Sequence, residues 1–388
     1  MTEMTARRAA LPHRSETSVI GEWWHTVDRW SLGALALLFA LGIVLSFAAS
    51  PPLAEQNGLW AYHYVLRHVF FAGVALGAMV AVSMCTAKTV RRAGIFIFTL
   101  AFAATALLPW FGTDFGKGAV RWFSLGFASV QPSEFLKPAF VILSGWLMAG
   151  AAERAGPPGR TLSGMIAVGI AAMLALQPDF GQTALVISVW ATMLFVSGAN
   201  ILALLALGGA TMAGGAFAYA NSEHFANRIN GYLAAEVDPF TQLAYAQAAI
   251  REGSLFGVGA AQGSVKWTLP DAHTDFIIAV AAEEFGLILT LLICGLYLFV
   301  AARSLARLID QRDLFRRLAG AGLATIFGLQ AFVNLAVAIR LLPAKGMTLP
   351  LISYGGSSML AAALTVGALL ALTRTEPHDA AARLRSSL

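Results

Sequence analysis

Charged residues are scarce in this sequence. Asp, Glu, Lys and Arg together make up 12% of its 388 residues, whereas a soluble domain averages about a quarter. Hydrophobic residues make up 58%, and the mean hydropathy is +0.70. So deep a depletion over the whole length argues against a soluble globular protein and indicates that lipid surrounds most of the chain.

The sequence has only two cysteines, and no cleavable secretion signal is expected from it. Cys85 and Cys294 both lie in apolar stretches without a CxxC or a Cys/His partner nearby. This pattern argues against a disulfide framework or a zinc site and predicts packing roles. The first thirty residues carry several arginines and lack an apolar core of signal-peptide length. The first membrane helix is therefore expected to direct targeting.

Long apolar runs predict the membrane helices. A spanning helix needs about 20 mostly apolar residues. The ten candidates lie near 31–50, 67–85, 93–110, 132–151, 161–177, 182–198, 200–220, 276–302, 318–339 and 350–373. The sequence therefore predicts an all-α integral membrane protein of about ten transmembrane helices, with a tail at 1–29, a membrane domain at 30–373 and a second tail at 374–388.

Basic residues indicate the orientation of these helices. With both termini cytoplasmic, the inside segments hold 17 of the 26 Lys and Arg residues and have a net charge of +8. The rest of the chain has a net charge of −3. This asymmetry follows the positive-inside rule. The overall charge of +5 is thus a topology signal, and no nucleic acid partner is expected. One long external loop, 221–275, then separates spans seven and eight, with an amphipathic helix predicted at 240–252.

External segments carry ionisable residues at membrane depth, where such residues are functional candidates. The segment 131–137 opens the fourth span. Glu134 and Lys137 share a helix face and can pair, while Pro132 and Ser133 are predicted to form the cap and the first turn. The pair is either part of a functional site or a structural ion pair, and the spacing alone leaves both open.

Three further external segments carry polar residues. Arg121 and Trp122 fit either an interfacial anchor or recognition of a phosphate, which matches the planar fork of arginine. Residues 177–181 have the composition of a turn. The segment 342–358 contains Lys345, which is either an interface anchor or a phosphate contact, and it ends in small residues that allow close helix packing.

Asp275 lies where the long loop meets the eighth span. We predict that it occupies the first turn of that helix, where the helix dipole favours a carboxylate. Glu283 and Glu284 follow two turns deeper, and a carboxylate near others at the membrane boundary can serve as a general base. An ordinary acidic cap is the alternative. His273, two residues earlier, belongs to a type that is more often structural than catalytic.

Taken together, these segments resemble the SEDS family, the shape, elongation, division and sporulation proteins, in order and over nearly all of 20–373. Residues 345–350 and 353–358 look like the division member of the family and not the elongation member, whereas 117–120 and 340–341 depart from the family pattern. The resemblance implies a peptidoglycan glycosyltransferase that polymerises lipid II. It also implies a class B penicillin-binding protein and other division proteins as partners, in the bacterial inner membrane at the septum.

The resemblance also implies roles for individual residues. The family's essential aspartate maps onto Asp275, the expected catalytic base. The expected substrate-binding residues are Arg121, Trp122, Gln131, Ser133, Glu134, Lys137, Lys266, His273 and Lys345. The four cations among them are expected to steady the developing pyrophosphate charge, with a divalent cation (Mg or Mn) as an open option. A lipid II flippase, an elongation-type polymerase and a scaffold for a partner synthase stay open as alternatives.

Overall fold

A computed structural model describes residues 18–114, 120–126, 128–152, 156–234, 239, 241–343 and 346–375. Within these ranges a short antiparallel hairpin pairs β1 (Phe123–Ser124) with β2 (Ser129–Val130). The other regular elements are helices: α1 (Val19–Thr26), α2 (Arg29–Ala49), α3 (Pro51–Gln56), α4 (His63–Ser83), α5 (Ala87–Phe111), α6 (Pro132–Gly150), α7 (Gly159–Leu176), α8 (Phe180–Val196), α9 (Ile201–Asn221), α10 (Glu223–Leu233), α11 (Gln242–Gly253), a single 3₁₀ turn (Val265–Trp267), α12 (Ile277–Ile309), α13 (Leu314–Ala338) and α14 (Gly356–Leu372).

Each predicted span overlaps one of these helices. Seven of them, α2, α4, α5, α7, α9, α12 and α13, are long and apolar enough to cross a membrane, and α8 and α14 are shorter apolar helices. On α9, Leu205, Met212 and Phe217 are largely exposed, as expected of a helix that faces lipid. The chain is therefore a multi-pass membrane protein. The count of ten spans and the orientation stay predictions.

Helix α13 forms the centre of the bundle and packs against α6, α8, α12 and α14. Small residues bring these helices close together. A Cβ added to Gly145 on α6 would lie 2.9 Å from Ala319 on α13, and one added to Gly322 would lie 2.6 Å from Val141. Because α6 and α13 approach so closely, polar side chains on their facing surfaces can meet inside the bundle.

Helix α12 is broken at Gly286, where φ is +78° and ψ is −176°. The predicted eighth span is thus two pieces, a buried half-helix at 277–285 and a longer helix that follows. The loop 254–259 closes the break: the Val258 amide donates to the Glu283 carbonyl at 2.9 Å, and the Leu287 amide donates to the Ser254 carbonyl at 3.0 Å. Backbone groups within a membrane must find partners inside the protein, and this loop supplies them.

The long segment between α9 and α12 contains the helices α10 and α11 and a 3₁₀ turn. The helix predicted at 240–252 is confirmed as α11, where Thr241 Oγ1 accepts the Ala244 amide at 3.3 Å as an N-cap. Leu243, Ala246 and Ala249 are buried on one face of α11, and α11 packs on α12. Helix α10, which precedes it, was not predicted from the sequence. The described part of this segment thus packs on the bundle through α10 against α9 and α11 against α12.

The first and last membrane helices meet at the opposite end. The Thr375 amide donates to the Thr26 carbonyl at 3.1 Å, and Arg374 Nε donates to Thr26 Oγ1 at 2.9 Å. Beside them Asp28, buried before α2, accepts hydrogen bonds from Arg303 of α12 at 2.6 and 2.9 Å. The segments that flank α2 and α14 thus lie on the same side of the bundle, as an even number of spans requires.

Candidate active site

Glu134 and Lys137 form the ion pair that their spacing predicts. Lys137 Nζ donates to both carboxylate oxygens of Glu134 at 2.9 Å, and both residues are buried. Helix α6 begins at Pro132, and Gln131 is its N-cap but makes no side-chain capping bond. The predicted capping role of Ser133 is therefore wrong, because Ser133 lies inside the first turn and is itself buried.

Two glutamines that the sequence analysis missed complete this network. Gln182 of α8 accepts from Lys137 at 2.8 Å and donates to Glu134 at 2.9 Å. Gln330 of α13 accepts from Lys137 at 3.4 Å and donates to the Thr348 carbonyl at 3.2 Å. The adjoining cavity has a volume of about 10 Å³, which is room for about one water molecule. The pair thus joins three helices to the segment before α14, and this cavity has no room for a diphosphate.

Asp275 lies in a turn and not in a helix. Helix α12 begins at Ile277, so the prediction that Asp275 occupies the first helical turn is wrong. Asn334 Nδ2, on α13, donates to the Asp275 carbonyl at 2.8 Å and to the Met347 carbonyl at 2.6 Å. A Cβ added to Gly346 would lie 3.2 Å from Asp275 Oδ2. The half-buried carboxylate therefore lies against the segment that precedes α14.

A serine fixes the same turn at the neighbouring residue. Ser353 Oγ donates to the Thr274 carbonyl and accepts the Leu349 amide. Asn334 and Ser353 together bind the carbonyls of Thr274 and Asp275 and tie both to the segment 347–353. Since all of these groups are buried or half-buried, the position of Asp275 is set by contacts between segments that are far apart in sequence.

Arg121 is held by backbone oxygens. Its Nε and Nη2 atoms donate to the carbonyls of Gln177 and Pro178, each at 2.9 Å. The adjacent Trp122 is half-buried and forms a backbone bridge with Thr113. Arg121 therefore fastens the hairpin region to the turn between α7 and α8, and two of the external segments found in the sequence become one structural unit.

Asp179, within that turn, is a buried carboxylate that the sequence analysis treated only as a turn residue. It caps α8, because its Oδ1 atom accepts the Gln182 amide at 3.4 Å, and it is 8% exposed. Burial raises the pKa of Asp179, while the positive charge of Arg121 opposes that rise. Asp179 thus lies between Arg121 and the buried network that contains Gln182.

Lys266, Glu283 and Glu284 form a second buried cluster. Lys266 pairs with Glu284 Oε1, and the Ala261 amide donates to Glu284 Oε2 at 2.7 Å. The Val265 amide donates to Glu283 Oε1 at 2.7 Å. These bonds attach the end of the long loop to the half-helix of α12. Glu283 and Glu284 therefore accept hydrogen bonds from the loop backbone, and Glu284 also pairs with Lys266.

The remaining predicted substrate contacts surround the turn of Asp275 or lie beyond the described residues. The His273 ring lies 5.4 Å from that of Tyr354, and the Tyr354 amide donates to the His273 carbonyl at 2.9 Å. The Gln131 amide donates to Ser357 Oγ at 3.4 Å, which links α6 to α14. Lys345 falls outside the described residues.

Arg228, on α10, is a cation that the sequence analysis missed. It is half-buried, and it lies close enough to Arg121, Asp179 and Asp275 for their charges to act on it. Burial and the neighbouring charge of Arg121 lower the pKa of Arg228, and the two carboxylates oppose that decrease. An arginine remains charged at neutral pH even so. The charges of a second arginine and of two carboxylates thus act on Arg228.

The part of the chain that the structure describes contains no cluster of side chains arranged to bind a metal ion by themselves. Within it, no group of three or more His, Cys, Asp and Glu side chains is placed to hold one. Glu134 and Glu284 instead pair with lysines. A divalent ion held mainly by substrate phosphates needs only one or two carboxylates, so the Mg or Mn ion left open from the sequence stays a prediction.

These features define a class of protein. A multi-pass helical bundle carries at one end a half-buried carboxylate, two arginines and aromatic rings, with a buried ion pair behind them. Such a protein acts on a polar, charged group at the membrane boundary. The chain belongs to the cell cycle protein family FTSW_RODA_SPOVE, whose family model matches residues 29–378, so the family inferred from the sequence is confirmed.

Curated relatives agree with this assignment. The chain is 42% identical over 365 residues to "Probable peptidoglycan glycosyltransferase FtsW" of Caulobacter vibrioides, covering 94% of this chain and 93% of the relative. A protein of the same name from Halorhodospira halophila is 34% identical over 361 residues, covering 89% of this chain and 90% of the relative. The likeness to the division member of the family is therefore confirmed as well.

Solved structures share the fold. A chain in the structure described as "Structural coordination of polymerization and crosslinking by a peptidoglycan synthase complex" matches with a TM-score of 0.74 at 26% identity, covering 89% of this chain and 97% of that chain. The rod shape determining protein RodA of Thermus thermophilus matches with a TM-score of 0.65 at 24% identity, covering 90% of this chain and 97% of that one. The latter likeness shows the fold alone.

Proposed function

We propose that this chain is a peptidoglycan glycosyltransferase that polymerises lipid II for the septal cell wall, with Asp275 as its general base. The observation that carries the proposal is the fixed position of Asp275: Asn334 and Ser353 bind the backbone of its turn. The charge of Asp275 also acts on the half-buried Arg228. The names of the curated relatives supply the reaction class. The proposal includes ten spans with both termini cytoplasmic, so that this end of the bundle faces the outer side of the bacterial inner membrane.

The proposed reaction joins two lipid-linked disaccharides. The 4-hydroxyl oxygen of the acceptor GlcNAc attacks the anomeric carbon of the donor strand. The bond between that carbon and the pyrophosphate oxygen breaks, and the lipid pyrophosphate leaves with the electron pair. Asp275 accepts the hydroxyl proton, a role that contributes about 10²–10⁴-fold to the rate.

The Glu134–Lys137 network acts on this site indirectly. Gln330 accepts a hydrogen bond from Lys137 and donates one to the Thr348 carbonyl. Asn334, one turn further along α13, donates to the carbonyls of Met347 and Asp275. The buried ion pair therefore helps to fix the segment against which Asp275 lies. Its role in the proposal is to hold the base in position, since Lys137 is surrounded by protein groups.

The proposed partner is a class B penicillin-binding protein. The solved relative described as part of a peptidoglycan synthase complex supports this partner. Other division membrane proteins follow from the likeness to the FtsW relatives, and the same likeness favours a septal role over an elongation role.

A lipid II flippase is the second candidate, because broken helices are common in carriers and α12 is broken at Gly286. In a carrier, however, the irregular backbone lines a cavity at the midplane. Here the loop 254–259 fills the break with backbone hydrogen bonds. The cavity of about 520 Å³ beside this loop is lined by apolar side chains apart from Ser254, Thr290 and Cys294, so it does not suit the charged headgroup that a carrier would have to bind. Polymerisation is therefore the function that the geometry supports better.

The test is glycan polymerisation by the purified full-length chain from lipid II, with and without the cognate penicillin-binding protein. Asp275→Asn is expected to reduce polymer formation about 100-fold or more. Asp271→Asn, the same substitution in the same turn, serves as the matched control and is expected to stay within about threefold. Near-normal polymerisation by Asp275→Asn would remove the base role, and translocation of labelled lipid II in proteoliposomes without polymer would favour the flippase.

A further inference from the structure

Three of the four cations expected to contact pyrophosphate are engaged elsewhere in the protein, and the fourth, Lys345, lies outside the described residues. Arg121 donates to two backbone carbonyls. Lys137 binds Glu134 and Gln182, and Lys266 pairs with Glu284. A leaving diphosphate still needs positive charge close to the base, because negative charge develops there as the bond breaks. The proposed reaction therefore requires another positively charged side chain near Asp275.

One face of α10 carries such a cation. Phe225, Arg228 and Tyr232 are spaced three and four residues apart, so they lie on the same face of the helix. The Phe225 ring lies 4.7 Å from that of Phe180, which directly follows Asp179. Because the first residue of this face is seated at the start of α8, Arg228 is directed toward the same end of the bundle as Asp179.

The other end of α10 is also fastened. Tyr232 Oη donates to the Leu341 carbonyl at 3.1 Å. Arg340 Nη2 donates to the Tyr232 and Ala234 carbonyls at 3.2 and 2.6 Å. These carbonyls are at the C-terminal end of α10, where a positive charge is favoured. Arg340 itself has a φ of +60°, a strained conformation that these contacts help to hold.

Arg228 therefore lies between two fixed points, the start of α8 and the end of α13. The charges of Arg121, Asp179 and Asp275 act on it. Arg228 is half-buried and is repelled by the charge of Arg121, and an anion bound to Arg228 would offset that repulsion. Arginine's planar fork suits a phosphate, since it donates two parallel hydrogen bonds.

We propose that Arg228 binds the diphosphate of the lipid-linked substrate beside Asp275, and that α10, fastened by Arg340, holds it there. This inference rests on the proposed function for the identity of the substrate. Arg228 is then a substrate-binding residue, and Arg340 is a positioning residue that acts through α10. Residues 340–341, which depart from the family pattern, then attach α10 to the end of α13.

A binding assay tests the proposal without turnover. The full-length chain in nanodiscs is titrated with undecaprenyl diphosphate and, separately, with undecaprenyl alcohol, which lacks the charge. Arg228→Gln is expected to weaken diphosphate binding roughly 10-fold or more and to leave alcohol binding unchanged. Arg228→Lys keeps the charge but loses the fork, so an intermediate loss is expected. Arg340→Gln is expected to weaken diphosphate binding less than Arg228→Gln does.

Arg251→Gln is the matched control, because Arg251 is exposed on the neighbouring helix α11 and the charge change is the same. Diphosphate affinity that stays within about twofold in Arg228→Gln would overturn the proposal. So would an equal loss of alcohol binding, which would indicate damage to α10. If Arg228→Gln loses diphosphate affinity selectively while the unchanged chain makes no polymer, the binding role stands and the polymerase proposal fails.

Discussion

Asn334 and Asp275 are joined by a partly buried hydrogen bond: Asn334 Nδ2 donates to the Asp275 backbone carbonyl at 2.8 Å. The same nitrogen donates to the Met347 carbonyl at 2.6 Å. One amide on the central helix thus fixes the distance between the turn of the proposed base and the segment that faces it.

Asn334→Leu is expected to lower the turnover number of polymerisation about 10–100-fold, because a shift of about 1 Å in a reacting group can cost that much. KM for lipid II is expected to change little, since Asn334 contacts the backbone and not the substrate. Asn221→Leu, the same substitution at an exposed residue of α9, is the control. Unchanged turnover in Asn334→Leu would show that the turn keeps its position without this bond.

The Glu134–Lys137 pair yields a prediction about stability. Lys137→Met leaves the buried Glu134 carboxylate without its cation, which is expected to cost about 3–5 kcal/mol of unfolding free energy. The double variant Glu134→Gln with Lys137→Met removes both charges and is expected to recover much of that loss. Thermal unfolding of the detergent-purified variants measures both effects. Additive losses in the double variant would contradict a direct pairing.

The break in α12 makes Gly257 a sensitive position. Gly257 has a φ of +82°, and a Cβ there would lie 2.1 Å from the Glu284 carbonyl oxygen. Gly257→Ala is expected to destabilise the protein by about 2–4 kcal/mol through backbone strain and steric overlap. Gly208→Ala on α9, where nothing lies within 4 Å of an added Cβ, is the control and is expected to be neutral or slightly stabilising. Equal thermal stability of the two variants would refute the close approach.

The ionisation of Asp28 is expected to make the free energy of unfolding depend on pH. Burial raises the pKa of Asp28, but hydrogen bonds from Arg303 and Ser31 and the charge of Arg307 outweigh burial, so the pKa lies below the ordinary 3.8. A carboxylate with a lowered pKa contributes stability above its ordinary pKa and loses it as the pH falls through the folded value.

Asp28→Asn is therefore expected to be less stable than the unchanged chain at pH 7, by about 1–2 kcal/mol, because the arginines are partly exposed and screened by solvent. The difference is expected to shrink as the pH falls below 3.8. Thermal unfolding over this range measures it, with Asp310→Asn at the exposed end of α12 as the control. A difference that grows in acid would contradict the sign of the pKa shift.

Hydropathy predicted the membrane helices because a lipid environment requires long apolar runs. It could not predict the break at Gly286, since a window average over this mostly apolar stretch passes over one glycine. The span was predicted to begin near 276, one residue before α12. The hydrogen bonds that end the half-helix come from the loop 254–259, which is distant in sequence, so no local pattern predicts them.

The site was predicted in part. The pairing of Glu134 with Lys137 followed from their spacing. Asp275 was predicted as a candidate base from its position near Glu283 and Glu284, and the family resemblance implies the same role. Gln182, Gln330 and Asn334 were missed, although single amides within apolar helices are a usable signal because each needs a buried partner. Arg228 was missed because its importance depends on where α10 docks, and that is decided by contacts with Phe180 and Arg340.

The loop that fills the break of α12 precedes that helix in the chain. Ribosomal synthesis therefore produces residues 254–259 before the half-helix at 277–285 and before Gly286. When the broken helix enters the membrane, the groups that will cover its exposed backbone have already been made. The order of the polypeptide thus suits insertion during translation, and a rearranged chain in which this loop followed α12 would have to insert the break without its cover.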